Sequence, residues 1–466
     1  MKEVSGAIED SENVEQSLLQ ELLSTCETVF VKKLSLNDRD WSRLRNKHQA
    51  GVYVPRTERD SGFFPDLKNK LRTGKDADGK PIREAFFQTE WPQFGVTDQS
   101  RLVHYASKGE ETHLTGLPKE AFRELAPASF LVIGKSSDGN KNPIFKCITL
   151  DSTSESATSL IDVLSIEPDF VSAIRHPLKL AAQVKKVTLT FLELVIRAYH
   201  DGKLVEFAAK HSTLPSTNSL ATLARQQYLS RTGLKNFDPF TIRKPGDVIR
   251  QVSRGDEYEI FRDLQMKAKS VELVSMIVGT NPATASIERI ITALVTDYPK
   301  IDALLLSASQ QRKSRAGYSF EFQIEQMLID GCIAYDKQVV IEAKKRPDFI
   351  LPSFDFFKSV NRKKSDVIVL SAKTTLRERW KQVQREIGNS DLFLATVDEN
   401  IASNAIDDMG SIGITLVVPE SLKASDTTEY KKHKSVISFK SFFEFEVKKK
   451  RMPTWNRKGI YPRVVP

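Results

Sequence analysis

Two residue types at one spacing carry the first chemical signal. Asp348 follows Pro347 in KKRPDFILPSF, and Lys373 comes 25 residues later in VIVLSAKTT. Each borders a short apolar run, Phe349 to Leu351 and Val367 to Leu370, of the kind that forms buried strands. An acid and a lysine therefore stand at the ends of two candidate neighbouring strands. A charge at the end of a buried strand is costly unless a partner or a ligand uses it. Carboxylates there suit Mg²⁺, which prefers oxygen ligands. A bound dication acidifies water and draws off charge from a phosphate. The lysine can position that water and offset the developing charge. An ordinary strand, turn and solvated charged helix would also fit this window.

A second acid is missing from the simplest arrangement. Residues two apart on a strand face the same way, so the partner of Lys373 is Ser371. The replacement has two candidates. Glu386 lies 13 residues after Lys373, on the helix expected over Leu376–Ile387, where Arg379, Val383 and Glu386 share a face. Glu321 lies in YSFEFQIEQMLIDG, at the border of the helical stripe Phe320, Ile324, Met327 and Leu328. Either carboxylate would complete, with Asp348, the metal-ligand set of a site similar to the PD…(D/E)xK nuclease core.

Three blocks in one order, QRKSRAGYSFEFQIEQ, KKRPDFILPSF and LSAKTTLRERWKQV, resemble the EcoRII-type (Type IIE) restriction endonucleases of the PD-(D/E)xK superfamily. The resemblance covers about the last 250 residues well and the first 170 loosely. It implies catalytic positions for Asp348, Lys373 and Glu386, with Glu321 as an additional acid. It implies that Arg377, Glu378 and Arg379 read paired C and G bases of CC…GG sites. The chemistry agrees: arginine donates a bidentate pair to guanine, and glutamate accepts from cytosine N4. QVSRGDEYEIF resembles a segment that sandwiches a flipped base, which places Arg254 and Tyr258 in the stacking pocket. Arg312, Lys313 and Arg315 are expected to hold phosphates.

These residues need elements to position them. From about residue 213 helices come first, then strands and helices alternate. Candidate strands are Val339–Ala343, Phe349–Leu351, Val367–Ala372, Leu392–Val397 and Ile414–Val418. Helices are expected at Ser319–Ile329, Leu376–Ile387 and about Val436–Lys448. The basic tail after that reads as solvated. This is an α/β, restriction-endonuclease-like domain with a central mixed sheet. Upstream, ETVFVKKLS, AGVYVPR, REAFFQT, RLVHYAS, ASFLVIGKS and IFKCITL are short β-rich runs, closed by a helix at Ser156 to Leu164. The run KKLSLNDRDWSRLRNKHQAGVYVP resembles the family's N-terminal all-β pseudobarrel, which binds a second, effector copy of the DNA site. Its candidate DNA contacts are Lys33, Arg45, His48, Arg101 and Lys108, with Lys32, Arg39, Arg43, Lys47 and His104 in the same loops. Residues 178–212 read as two helices around HDG and depart from the family pattern. The division is therefore 1–175 effector domain, 176–212 helical spacer and 213–466 catalytic domain.

Composition narrows the partners. With 69 Lys and Arg against 60 Asp and Glu, the net charge is +9, which suits double-stranded DNA. Three cysteines lie scattered without CxxC spacing, which argues against structural zinc and fits a bacterial or archaeal cytoplasm. No apolar run reaches the ~18 residues of a membrane span. The N-terminus is acidic and lacks a signal-peptide core. The expectation is a Mg²⁺-dependent, homodimeric restriction enzyme paired with a cognate cytosine methyltransferase. Two alternatives are a repair or junction-resolving nuclease of the same chemistry and a cleavage-deficient sequence-specific DNA-binding protein. The acid–lysine set argues against the second alternative, and the base-reading triplet against the first.

Overall fold

A computed structural model describes residues 2–43, 51–69, 82–105, 111–137, 143–164, 166–167, 170–212, 214–339, 346–376, 380 and 390–461. The chain divides into two compact units. The first holds Met1–Val184 with two later segments, Glu399–Ser403 and Ala424–Lys432. The second holds Lys185–Asp398, Asn404–Lys423 and His433–Pro466.

The first unit is built on one sheet. Its strands are β1 (Thr28–Lys33), β2 (Val52–Tyr53), β3 (Lys68–Asn69), β4 (Ile82–Trp91), β5 (Val96–Tyr105), β6 (Glu111–Thr115), β7 (Phe130–Ser137), β8 (Pro143–Leu150) and β9 (Ser172–Arg175). The order is β2-β6-β5-β4-β8-β7-β1-β9, with β3 on β4. All six expected β-runs are strands. Successive side chains point to opposite faces, and the sequence uses both. Phe30, Leu131, Ile133, Phe145 and Cys147 enter one core with Trp41, Phe63, Phe64 and Trp91. Their neighbours Val29, Val31, Phe130, Val132, Ile148 and Leu150 enter another. Helices Lys2–Thr25 and Glu155–Val163 cover that second core through Leu19, Leu22, Ala157 and Leu160. The unit is sheet-rich but not all-β. The acidic start of the chain is a helix because QSLLQELL repeats its leucines at helical spacing.

The second unit opens with helices. Pro177–His200, which belongs to this unit from Lys185 onwards, and Leu204–Ser212 flank a turn at Gly202, whose φ of +68° suits a residue without a Cβ. Phe191, Val195 and Leu204 pack on Val271 of helix Glu257–Ile277. Helices Thr217–Thr232 and Tyr298–Asp330 bury apolar residues such as Leu220, Ala224, Phe320 and Ile324, whereas Ile287–Thr296 buries Ala293 and leaves Ile287, Ile291, Leu294 and Val295 exposed. The sheet comprises β10 (Asp336–Lys337), β11 (Phe349–Leu351), β12 (Ile368–Lys373), β13 (Asp391–Thr396), β14 (Ile414–Val418) and β15 (Val436–Ser438), in that spatial order. β10, β11 and β12 pair antiparallel, and β12 to β15 pair parallel, so the sheet is mixed. β12 and β13 are buried along nearly their whole length, as parallel strands covered on both faces must be.

Two expectations for this unit change. Of the strand expected over Val339–Ala343 only Val339 is described, since 340–345 lie outside the described residues; the short strand before it is β10 at Asp336–Lys337. Val436–Lys448 does not start as a helix: Val436–Ser438 pair parallel with β14, and the helical turns begin at Phe439. The β-branched start of that segment completes the sheet edge. The basic tail is folded as far as Trp455. Arg451 is buried, pairs with Asp391 and Glu446 at 2.6 Å each, and Trp455 donates its indole N–H to Asp366 O at 2.7 Å.

The helical stripe Phe320, Ile324, Met327 and Leu328 is fully buried against Phe349, Ile368 and Leu370. Phe320→Ala is expected to lower the unfolding free energy of this unit by about 3–5 kcal/mol. Denaturant unfolding of the full chain measures it, and a loss under about 1 kcal/mol contradicts this packing.

Candidate active site

β11 and β12 pair with Phe349 opposite Leu370 and Leu351 opposite Ile368. That register sets Asp348, just before β11, beside the far end of β12. Asp348 is 8% exposed. Its Oδ2 accepts the backbone N–H of Ala372 at 2.7 Å and the ammonium of Lys373 at 2.8 Å. One carboxylate oxygen thus fixes both the strand end and the lysine. The Lys373 side chain remains 31% exposed, so its head reaches solvent.

Glu321 joins this pair. It is half-buried on the long helix Tyr298–Asp330, next to the stripe that packs on the sheet. Burial, a hydrogen bond with Asp348 and the Asp348 charge push its carboxyl up to about 7, against the pull of Lys337 and Lys373. Two carboxylates pressed together in a partly dry setting form an oxygen-donor set that a dication would relieve. One turn further along the same helix, Glu325 accepts from Lys337 Nζ at 2.5 Å and Tyr335 OH at 3.0 Å. These three residues escape a sequence reading because only the fold brings β10 to the helix. Among the described residues no group of three or more His, Cys, Asp and Glu forms a ready metal cage. Glu386 lies outside the described residues, as do Arg377, Glu378 and Arg379.

The remaining candidates are placed as follows. Arg254 is exposed, and its Nη1 donates to the Val397 carbonyl at 3.2 Å, just beyond β13. It sits in a π-type turn, Gln251–Asp256, that runs into the helix carrying half-buried Tyr258. Such turns interrupt helices most often at functional positions. Arg312 donates to Gln265 Oε1 at 2.9 Å. Arg315 donates to the Pro215 carbonyl at 2.7 Å and lies 4.4 Å from the Phe261 ring centre. Both guanidiniums therefore have protein partners already. Lys313 is on the same helix. In the first unit, Lys33 pairs with Glu399 at 3.0 Å, and Arg101 pairs with Glu84 at 2.6 Å. Lys32 pairs with Asp38 at 3.4 Å, and Arg39 is buried, donating to Leu125 O at 3.0 Å. Arg43 also donates to Leu125 O, at 2.5 Å, and buried His104 contacts Thr112. Arg45, Lys47, His48 and Lys108 lie outside the described residues.

A buried acid next to Tyr258 is invisible in the pattern GDEYEI. Glu257 is 3% exposed, and Ser319 donates its hydroxyl to it. Burial pushes its carboxyl up to about 7, against the Ser319 hydrogen bond and the Arg315 charge. A carboxyl whose pKa is raised on folding binds its proton more tightly in the folded chain. It therefore destabilises the fold as pH rises from about 4.5 to about 7, fully above that window and not at all below it. Glu257→Gln is expected to raise the thermal midpoint at pH 8 and to lose that gain as pH falls towards 4.5. Scanning calorimetry across pH checks it; a gain that is flat or grows towards acid pH contradicts it.

Residues 283–443 match the EcoRII C-terminal family. The chain is 34% identical over 122 residues to the Type II restriction enzyme EcoRII of Escherichia coli, covering 26% of this chain and 30% of that one. It is 30% identical over 172 residues to the Type II restriction enzyme SsoII of Shigella sonnei, covering 34% and 54% respectively. The chain thus spans less than a third of the first relative's length and about half of the second's. A solved structure of metal-depleted Ecl18kI with uncleaved, modified DNA aligns at 25% identity and a TM-score of 0.43, covering 52% of this chain and 82% of that one.

Proposed function

We propose that this chain, with an EcoRII-type region over residues 283–443, is a Type II restriction endonuclease cutting both strands at a short palindromic CC-GG-type site. The observation that carries the reading is the Asp348–Lys373 pair at the sheet end, with Glu321 against it. A nuclease needs oxygen donors for a dication and a cation facing the phosphate at one point. Asp348 and Glu386 would hold Mg²⁺, with Glu321 as an additional acid; when bound, the metal supplies positive charge at the phosphate and acidifies water. Lys373 does the rest at the strand end. Its ammonium orients the attacking water and offsets the negative charge that grows on the phosphate oxygens. The backbone N–H of Ala372 keeps the Asp348 carboxylate turned to the same point.

Recognition in this reading falls to Arg377, Glu378 and Arg379, only four to six residues beyond Lys373. Arg254 and Tyr258 take the flipped central base, and Arg312, Lys313 and Arg315 take phosphates. Because Arg312 and Arg315 have protein partners, DNA must compete for them. A palindromic site suits a homodimer. The exposed apolar face Ile287, Ile291, Leu294, Val295 and Tyr298 supports a second copy as its cover. The setting is a bacterial or archaeal cytoplasm beside a cognate cytosine methyltransferase. Among the described residues no helix is long and apolar enough to cross a membrane.

The first unit is proposed as a pseudobarrel effector domain that restrains cleavage until it binds its own DNA, through Lys33, Arg45, His48, Arg101 and Lys108. Lys33 and Arg101 are ion-paired, so bound phosphate would displace Glu399 and Glu84 from them. The 176–212 spacer is better counted with the catalytic unit from residue 185 onwards.

Asp348→Ala and Lys373→Ala are each expected to abolish cleavage while DNA binding persists. Cutting at the wild-type rate by either variant contradicts the site. Glu386→Ala is expected to do the same; loss with Glu321→Ala alone would move the second acid to Glu321. Deleting residues 1–184 is expected to speed cleavage of single-site plasmid and to remove stimulation by added site-bearing oligonucleotide. Slower cleavage by the truncated chain contradicts restraint and leaves added affinity in its place.

A further inference from the structure

The strand next to the lysine has polar contacts that the mechanism above does not use. β12 and β13 run parallel with Lys373 opposite Thr396, so the two chains leave the sheet side by side. Two residues past β13, Asp398 is 5% exposed. Its Oδ2 accepts the backbone N–H of Leu376 at 2.7 Å, and its own N–H donates to Thr396 Oγ1 at 3.0 Å. Leu376 and Thr396 are fully buried. A carboxylate this dry is costly to keep unless donors meet it, and the Leu376 backbone N–H is one of them. Leu376 is the residue immediately before Arg377. The residue before Asp398, Val397, holds the Arg254 guanidinium through its carbonyl. Two adjacent residues thus anchor both the segment entering the Arg377–Arg379 triplet and the arginine of the proposed stacking pocket.

We propose that Asp398 is a positioning residue for sequence discrimination, which rests on the reading of Arg377, Glu378 and Arg379 as base readers. Its carboxylate holds the backbone N–H of Leu376, three residues after Lys373 and one before Arg377. A bidentate arginine–guanine pair needs both donors within about 2.7–3.2 Å of their acceptors. A reader whose first residue is not held meets that condition for only part of the time. The right bases then gain less over the wrong ones, while phosphate contacts, which set general affinity, are unaffected.

The test uses the full chain and two duplexes, one carrying the mapped recognition site and one with a single G·C pair of that site replaced. Binding without divalent metal is measured for wild type, Asp398→Ala, Asp398→Asn and Arg379→Ala. Asp398→Ala is expected to shrink the ratio of the two affinities by about tenfold, within the range for one bidentate pair. It should leave the affinity for the replaced duplex within about twofold of wild type. Asp398→Asn keeps an oxygen to accept the Leu376 N–H and is expected to recover most of the ratio. An unchanged ratio for Asp398→Ala, or an equal loss on both duplexes, overturns the proposal. Where that variant does not fold, Asp398→Glu, which misplaces the same charge by one methylene, is expected to lose discrimination; an unchanged ratio again overturns it. A wild-type ratio in Arg379→Ala overturns the base-reader assignment itself, and an intact Arg379 effect with no Asp398 effect rejects only the clamp.

Discussion

One carboxylate oxygen, Asp348 Oδ2, takes both the backbone N–H of Ala372 and the ammonium of Lys373. A buried charge survives only where its bonds are made, and here two donors come from adjacent residues of one strand. The arrangement requires the antiparallel step between β11 and β12, because no other register brings residue 348 to residues 372 and 373. It also requires cover from the helix Tyr298–Asp330, whose buried stripe delivers Glu321 to the same point. The parallel step to β13 then places Asp398 and Val397 beside the exit of the lysine strand. Acid, lysine and anchor are consequences of one sheet and one helix.

The first unit shows how poorly net charge predicts which cations are available. The chain carries an excess of nine positive charges, and the β-rich part holds several lysines and arginines in short loops. In the fold, Arg39 is buried between Leu125 O and Glu429, and Lys32 is paired with Asp38. Two segments from far along the chain, Glu399–Ser403 and Ala424–Lys432, belong to this unit. They supply the acids for Lys33 and Arg39. Buried or paired cations of this kind order the protein first and meet an anion only by exchange.

Strand periodicity was legible from the residues. Phe349–Leu351 and Ile414–Val418 have the expected bounds, and the other long strands shift by a residue. The acid–lysine pair was legible too, because both residues punctuate apolar runs. The N-terminal helix and β15 were harder to see. The first begins in an acidic stretch whose apolar repeat starts late, and the second is three residues long and gains its identity from pairing with β14. Glu325, Glu257 and Asp398 left no local mark, since each is defined by partners distant in sequence: Lys337 and Tyr335, Ser319, and Leu376. A single chain gives spacing along itself, while burial of an acid is a property of the packed whole.

The most direct test of the account is to digest methylation-free phage DNA with the full chain and Mg²⁺ and to sequence the ends. The account predicts discrete fragments whose ends fall at one short palindrome flanked by CC and GG. Intact DNA, or ends scattered without a common sequence, would contradict it.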